Sequence, residues 1–256
     1  MVGEALVEVD TGSTSGVGGL EQYPRPSLAV DPAVLSVSDG QLWTVLWRRQ
    51  HAPFIGEWAL PGVFVAEQEE LEAAALRGLR TKLGLDINLK PEQLFAWTKP
   101  GRDPRGWVAT VAYYALVPFE HVMEACSRDV DVVAFALETT GPQGALVKDE
   151  RITLKDSRGH VVAPVFDHSL ILGRVVARVR SLIWHSDVAL QLLPEYFTLR
   201  ELQGTYESIL GRNINKDSFR RRVTKTYSLV APTGRLEEGR VGHRKAELYA
   251  RNDKLM

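Results

Sequence analysis

Apolar residues change rhythm several times along this chain, and each change marks an element. Between Ser27 and Arg49 they form two short runs, LAVDPAVLSV and LWTVLWRR, joined at Asp39-Gly40. Asp-Gly between two β-rich apolar runs predicts a hairpin. From Glu70 to Leu83 the spacing becomes helical: Leu71, Ala75, Leu79 and Leu83 share one stripe, and Gly84 ends it. LFAWTK, WVATVAYYALV, VVAFALE and RITLK then read as strands, the series ending near Val165. Residues 167–186 return to helical spacing at Ile171, Val175, Val179, Leu182 and Ile183, with Arg174, Arg178 and Arg180 among them. This pattern predicts an amphipathic helix packed between two domains, a natural lever from one to the other.

Leu193-Pro194 breaks the chain before a second pattern. Thr198 and Glu201 have capping-box spacing for a helix through Leu210, ended by Gly211. Asn215 then caps a second helix, KDSFRRRVTKTYSLV, after the turn GRNI. Two short helices around a glycine-containing turn match a helix-turn-helix. Phe219, Val223 and Tyr227 or Leu229 are expected to face inward, leaving Lys216, Arg220, Arg221, Arg222 and Lys225 outward. A turn at Pro232-Thr233-Gly234 and a hairpin pairing Arg235–Leu236 with Ala246–Tyr249 would form a wing, with Arg240, Arg244 and Lys245 at its tip. The expected organisation is a disordered tail at 1–23, an α/β domain at 24–165, a connecting helix at 166–193 and a winged helix-turn-helix domain at 194–256.

Composition sharpens this picture in two places. At 256 residues, 45% hydrophobic and 25% charged, the chain has material for two soluble domains. The net charge of −1 hides a split: 13 Lys+Arg against 8 Asp+Glu from residue 194 onward, and 18 against 24 before it. A basic final quarter on an acidic body points to a separate module for a polyanion, and together with the helix-turn-helix and wing it points to double-stranded DNA as partner. The candidate DNA-binding set is Asn215, Lys216, Ser218, Arg220, Arg221, Arg222, Lys225, Arg244 and Lys245, with arginines able to read guanine through paired hydrogen bonds. A single cysteine, Cys126, fits a reducing cytoplasm. No apolar stretch reaches the roughly 18 residues of a bilayer span, and no membrane partner is expected. The six histidines have no close metal-ligand spacing.

The stretch Gly62 to Leu85, GVFVAEQEELEAAALRGLRTKLGL, resembles a Nudix box, G-x5-E-x7-R-E-U-x-E-E-x-G-U with U aliphatic. Glu69, Arg77, Leu79, Gly84 and Leu85 keep their places. Gly62 stands one residue early, and Val63 replaces the second glycine usual before the box. Gly78, Thr81 and Lys82 stand where the box has glutamates. Positions i, i+3 and i+4 share a helix face, and magnesium needs oxygen donors there. No metal site and no catalytic residue are therefore assigned. The enzymic alternative, an ADP-ribose pyrophosphatase with displaced metal ligands, would draw on Glu67, Glu69, Glu70 or Glu72.

With GRDPRG at 101–106, Phe166-Asp167-His168 before Ile171-Leu172, Leu193-Pro194, and FTLRELQ at 197–203, the chain resembles the NrtR family of bacterial regulators over nearly all of 24–251. The resemblance implies a Nudix α/β/α sandwich with a mixed sheet, fused to a winged helix-turn-helix. It further implies a cytoplasmic homodimeric repressor of NAD-biosynthesis genes, released from a palindromic operator by ADP-ribose or a related NAD metabolite. No cofactor beyond that effector is expected. Within such a site Arg48, Arg102 and Arg105 would hold pyrophosphate, Asp103 would accept a ribose hydroxyl, and Phe54, Trp58 or Trp97 would flank adenine.

Overall fold

A computed structural model describes residues 22–139, 151–237 and 245–252. Most of the expected tail, together with Arg240 and Arg244, lies outside these residues. The first strand, β1 (Ser27–Ser38), turns into β2 (Gln41–Arg48) with Ser38 opposite Gln41. Asp39 and Gly40 both have positive φ, 49° and 75°, the conformation a two-residue type I′ hairpin requires. Short strands β3 (Trp58–Ala59) and β4 (Val63–Phe64) follow, then helix α1 (Leu71–Leu83), strands β5 (Glu92–Trp97) and β6 (Val108–Leu116), and helix α2 (Phe119–Arg128). Strands β7 (Val132–Thr139), β8 (Ile152–Lys155) and β9 (Val161–Val162) complete the sheet before helix α3 (His168–Leu182).

The main path of the sheet runs β5-β6-β1-β2-β7-β8-β9, and β1 beside β6 is parallel while the other pairs are antiparallel. The expected mixed sheet is therefore present. One edge of β1 pairs with β4 near Ala29–Val30 and with β2 from Leu35 onward. Successive strand residues face opposite sides. Val34, Val45 and Ala115 lie under α1 and α2, meeting Leu79, Leu83, Val122 and Ala125. Leu35, Leu46 and Tyr114 face the other way, into the cluster that contains Ile171, Val175 and Val179 of α3. The segment expected to connect domains is thus also the second helical layer of the sandwich. Burying each of the valine, leucine and isoleucine side chains among these contributes on the order of 1.5–3 kcal/mol.

Helix α2 was not foreseen. Its apolar residues Phe119, Val122, Met123 and Cys126 do follow helical spacing, but the helix is only ten residues long and Pro118 precedes it without a capping side chain, so its start carries no capping signal.

The C-terminal module has β10 (Phe197–Thr198), α4 (Leu199–Leu210), α5 (Lys216–Arg221), β11 (Val230–Leu236) and β12 (Glu247–Arg251), with strand order β10-β12-β11. The Thr198–Glu201 capping box is formed in both directions, and Asn215 caps α5 by accepting from the Ser218 N–H at 3.0 Å. Two expectations need correction. The second helix changes to a π-helical turn over Arg222–Thr226, where Tyr227 N–H reaches back to Arg222 O. Pro232-Thr233-Gly234 is no turn before the wing. It lies inside β11 at a register irregularity between Pro232 and Leu236, and Thr233 Oγ1 donates across to Leu248 O. Among the described residues no helix is long and apolar enough to cross a membrane.

Candidate functional site

A cavity of about 390 Å³ opens between the end of β2, the loop before α1 and the 101–106 loop. Arg49, Arg77, Lys82, Arg102 and Arg105 line it, against two carboxylates, Asp31 and Asp103. Three of the cations are engaged by acids. Arg77 donates twice to Glu69 at 2.7 Å and holds its carboxyl down at about 2, assisted by the Ala66 N–H. Arg102 donates to both oxygens of Asp167 and to Asp31. Arg105 grips both oxygens of Asp103 at 2.9 and 2.6 Å.

The remaining two cations bond to backbone carbonyls and, among the described residues, form no ion pair. Arg49 donates to Pro53 O at 2.7 Å and His51 O at 3.2 Å. Lys82 Nζ donates to Gly62 O and lies 4.3 Å from the centre of the Trp47 ring. Burial, then the nearby Arg49, push this ammonium down to about 8; Asp31 acts the other way, and Arg105 and Arg77 lower it further.

Backbone packing fixes the cavity floor. A Cβ on Gly62 would stand 2.0 Å from Asp31 Oδ1, and one on Gly78 would stand 2.5 Å from Pro61 O. Both positions need glycine because the loop at Gly62 presses on Asp31 of β1, and α1 at Gly78 presses on the same loop at Pro61. His168 is wholly buried, and burial lowers its pKa. Its Nδ1 accepts from Leu60 N–H at 2.9 Å, which leaves the proton on Nε2, facing Asp31 at 3.7 Å. At the rim, Phe54 and Phe166 meet edge to face at 5.1 Å, both with φ near +60°. Bulky residues seldom take that conformation, and such strain gathers at working sites. Arg49 lies 5.0 Å and Arg105 5.9 Å from the Phe166 ring centre.

The geometry on the α4–α5 face divides the basic residues. Lys216 and Arg220 line a groove with Gln203 and Tyr249 of the wing side. Arg221 and Ser218 border a second hollow with Trp184 and Tyr227. Lys225 and Lys245 are exposed. Arg222 is exposed too, yet its guanidinium stacks 4.2 Å over Trp184, just past α3. Trp184 in turn contacts Tyr206 at 4.8 Å, and Tyr206 contacts Phe219 at 5.1 Å. Arg180 of α3 donates to Ile209 O at the end of α4.

A model of the NrtR DNA-binding winged helix domain matches residues 189–250. An ADPR-responsive transcriptional repressor from Acinetobacter baylyi is 34% identical over 229 residues, 89% of this chain and 82% of that protein. The chain belongs to the NrtR family. The crystal structure of Shewanella oneidensis NrtR complexed with a 27mer DNA superposes with a TM-score of 0.70 at 32% identity, covering 88% of this chain and 93% of that one. An ADP-ribose pyrophosphatase from Methanocaldococcus jannaschii is 35% identical over 91 residues, 36% of this chain and 51% of that protein. The Nudix α/β/α sandwich and the C-terminal winged helix of this NrtR chain follow the order expected from its sequence.

Within this NrtR fold, Arg102, Asp103 and Arg105 do meet at the cavity. Arg102 is committed to Asp31 and Asp167, and both Asp103 oxygens are taken by Arg105, so of the three only Arg105 keeps a large exposed surface. Phe54 reaches the rim through Phe166. Arg48 and Trp58 do not line the cavity. They stack on each other at 4.7 Å on the opposite side of β2, where Trp58 packs on Phe135 and Arg48 approaches Asp131. Strand parity is the reason: Trp47 and Arg49 point to the cavity, and Arg48 must point away. Trp97 also lies elsewhere, under Arg174 beside Phe95. Sequence reasoning missed Arg49, Trp47, Phe166 and the cavity role of Lys82. Alternation along LWTVLWRR carried the signal for the first two.

Proposed function

We propose that this chain is a ligand-responsive transcriptional repressor of NAD-biosynthesis genes, with a Nudix domain that senses ADP-ribose or a related NAD metabolite without hydrolysing it. The observation that carries this reading is that Gly78, Thr81 and Lys82 of α1 replace acids, and that Lys82 is one of five cations lining the cavity. Such a cavity favours a phosphate-bearing ligand and disfavours a magnesium ion. A volume of about 390 Å³ is within the range of small-molecule sites. Arg49, Lys82 and Arg105 are the residues best placed for the phosphates, with Phe54 and Phe166 as the aromatic rim. The similarity to a repressor named as ADPR-responsive supports the effector, and the likeness to an NrtR solved with DNA supports the partner.

DNA would be held as a cytoplasmic homodimer, two winged helices reading half-sites about 34 Å, or a multiple, apart. The test is fluorescence anisotropy of the full-length protein on its own upstream region, with ADP-ribose added at fixed salt. Release by ADP-ribose without product formation supports the proposal. Turnover with magnesium on the order of 1 per second or faster would favour the hydrolase instead. That alternative must find its ligands among Glu67, Glu70 and Glu72, because Glu69 is held by Arg77.

A further inference from the structure

The Nudix fold implies a magnesium ion held by carboxylates on the helix that is α1 here, and the residues present do not fit that ion. Gly78 offers no donor, the Thr81 hydroxyl donates to Arg77 O at 2.7 Å, and Lys82 brings a positive charge. Among the described residues no group of three or more His, Cys, Asp or Glu is placed to hold a metal. We propose that Lys82 itself replaces the ion: with Arg49 and Arg105 it forms a metal-independent site for the bridging diphosphate of the effector. This rests on the reading of the cavity as a nucleotide-diphosphate sensor.

Three features of the site support it. Lys82 projects from α1 at the position where the Nudix box places its last glutamate, so its charge enters the space a cation would otherwise fill. The ammonium is held in place rather than free, by the Gly62 carbonyl on one side and the Trp47 ring on another. An ammonium has three donors, and the carbonyl uses one. Finally, Lys82 and Arg49 lie in one half-enclosed space with no carboxylate bonded to either. Two such cations repel each other where solvent screens poorly, and a bound anion converts that repulsion into attraction. Burial first, and the nearby Arg49 second, lower the Lys82 pKa, with Asp31 acting the other way. Phosphate from a monophosphate would engage one cation. A diphosphate spans both.

Isothermal titration calorimetry on the full-length protein tests this with ADP-ribose and AMP, each in EDTA and in magnesium. Wild type is expected to bind ADP-ribose equally within about twofold in the two buffers, and more tightly than AMP. Lys82→Met should weaken ADP-ribose about tenfold or more and shrink its advantage over AMP. Lys82→Gln, which can still donate to the Gly62 carbonyl, guards against a folding defect and should show the same loss. Binding that requires magnesium in wild type, or ADP-ribose affinity unchanged in either folded variant, overturns the proposal while leaving the sensor reading in place. Absence of ADP-ribose binding to wild type in both buffers overturns the sensor reading along with it.

Discussion

Arg102 donates two hydrogen bonds to Asp167, at 3.0 and 2.8 Å, and so ties the cavity to the residue that precedes α3. A third donor goes to Asp31 on β1 at 3.0 Å, and the Arg102 side chain is only 5% exposed. Removing one member of a buried ionic cluster strands the others. Arg102→Met is expected to cost about 3–5 kcal/mol in urea denaturation, whereas adding Asp31→Asn and Asp167→Asn should recover part of that loss. A cost below about 1 kcal/mol for the single change would show that the cluster does not brace the fold.

The Glu69–Arg77 pair makes a prediction in acid. The folded-state pKa of Glu69, about 2, lies below its ordinary 4.5. Stability from this shift is full above pH 4.5 and is lost as pH falls from there toward 2. Glu69→Gln should flatten the stability profile over that window and leave its slope above pH 5 unchanged. Equal acid slopes in wild type and variant would contradict the assignment.

Gly78 is expected to resist even a methyl group. Its Cβ would sit 2.5 Å from Pro61 O, so Gly78→Ala should lower stability by about 1–3 kcal/mol in chemical denaturation. Restoring glutamate together at 78, 81 and 82 should then fail to produce ADP-ribose hydrolysis near 1 per second, measured as phosphate-ester product with magnesium. Robust turnover would show that the three missing carboxylates are the whole of the catalytic block and that packing at Gly78 does not prevent its repair.

On the winged helix, Arg220→Ala or Arg221→Ala should weaken operator binding by about 1–3 kcal/mol and relax preference at a defined base position. Arg244→Ala or Lys245→Ala should instead weaken every sequence alike and reduce the salt slope by about one each. Arg222 separates from this set because its guanidinium stacks on Trp184. Arg222→Ala is expected to lower thermal stability more than it alters sequence preference. Competition binding against single-base operator variants distinguishes these behaviours, and unchanged specificity in the folded Arg220→Ala, Arg221→Ala double variant would misplace the recognition helix.

Local chemistry made much of the fold legible in advance. Asp39-Gly40 fixed a hairpin, Thr198 with Glu201 fixed the start of α4, and the stripe Ile171, Val175, Val179 fixed the inner face of α3. The 101–106 loop was found through the family resemblance that GRDPRG carries. Less was legible where packing decides. Arg48 and Arg49 are adjacent basic residues, and only strand parity separates the one on Trp58 from the one in the cavity. The π-helical turn after α5 carries no local signal, and its first residue, Arg222, stacks on Trp184 from a distant segment. Lys82 reads in sequence as a lost acid. Its place beside Trp47, Arg49 and Gly62 gives it a chemistry of its own.

Helix α3 is counted twice in this molecule, once in the sandwich and once beneath the winged helix. Its apolar stripe belongs to a single cluster that runs from Leu46 through Val175 to Tyr206, Phe219 and Tyr249. The Nudix domain and the winged helix therefore share one apolar foundation. Shuffling a different sensor onto this reader by recombination at residue 165 or 193 would cut through a floor common to both. Such an exchange would bare apolar surface on both halves, whereas changing the charged side chains of the cavity leaves the shared cluster intact.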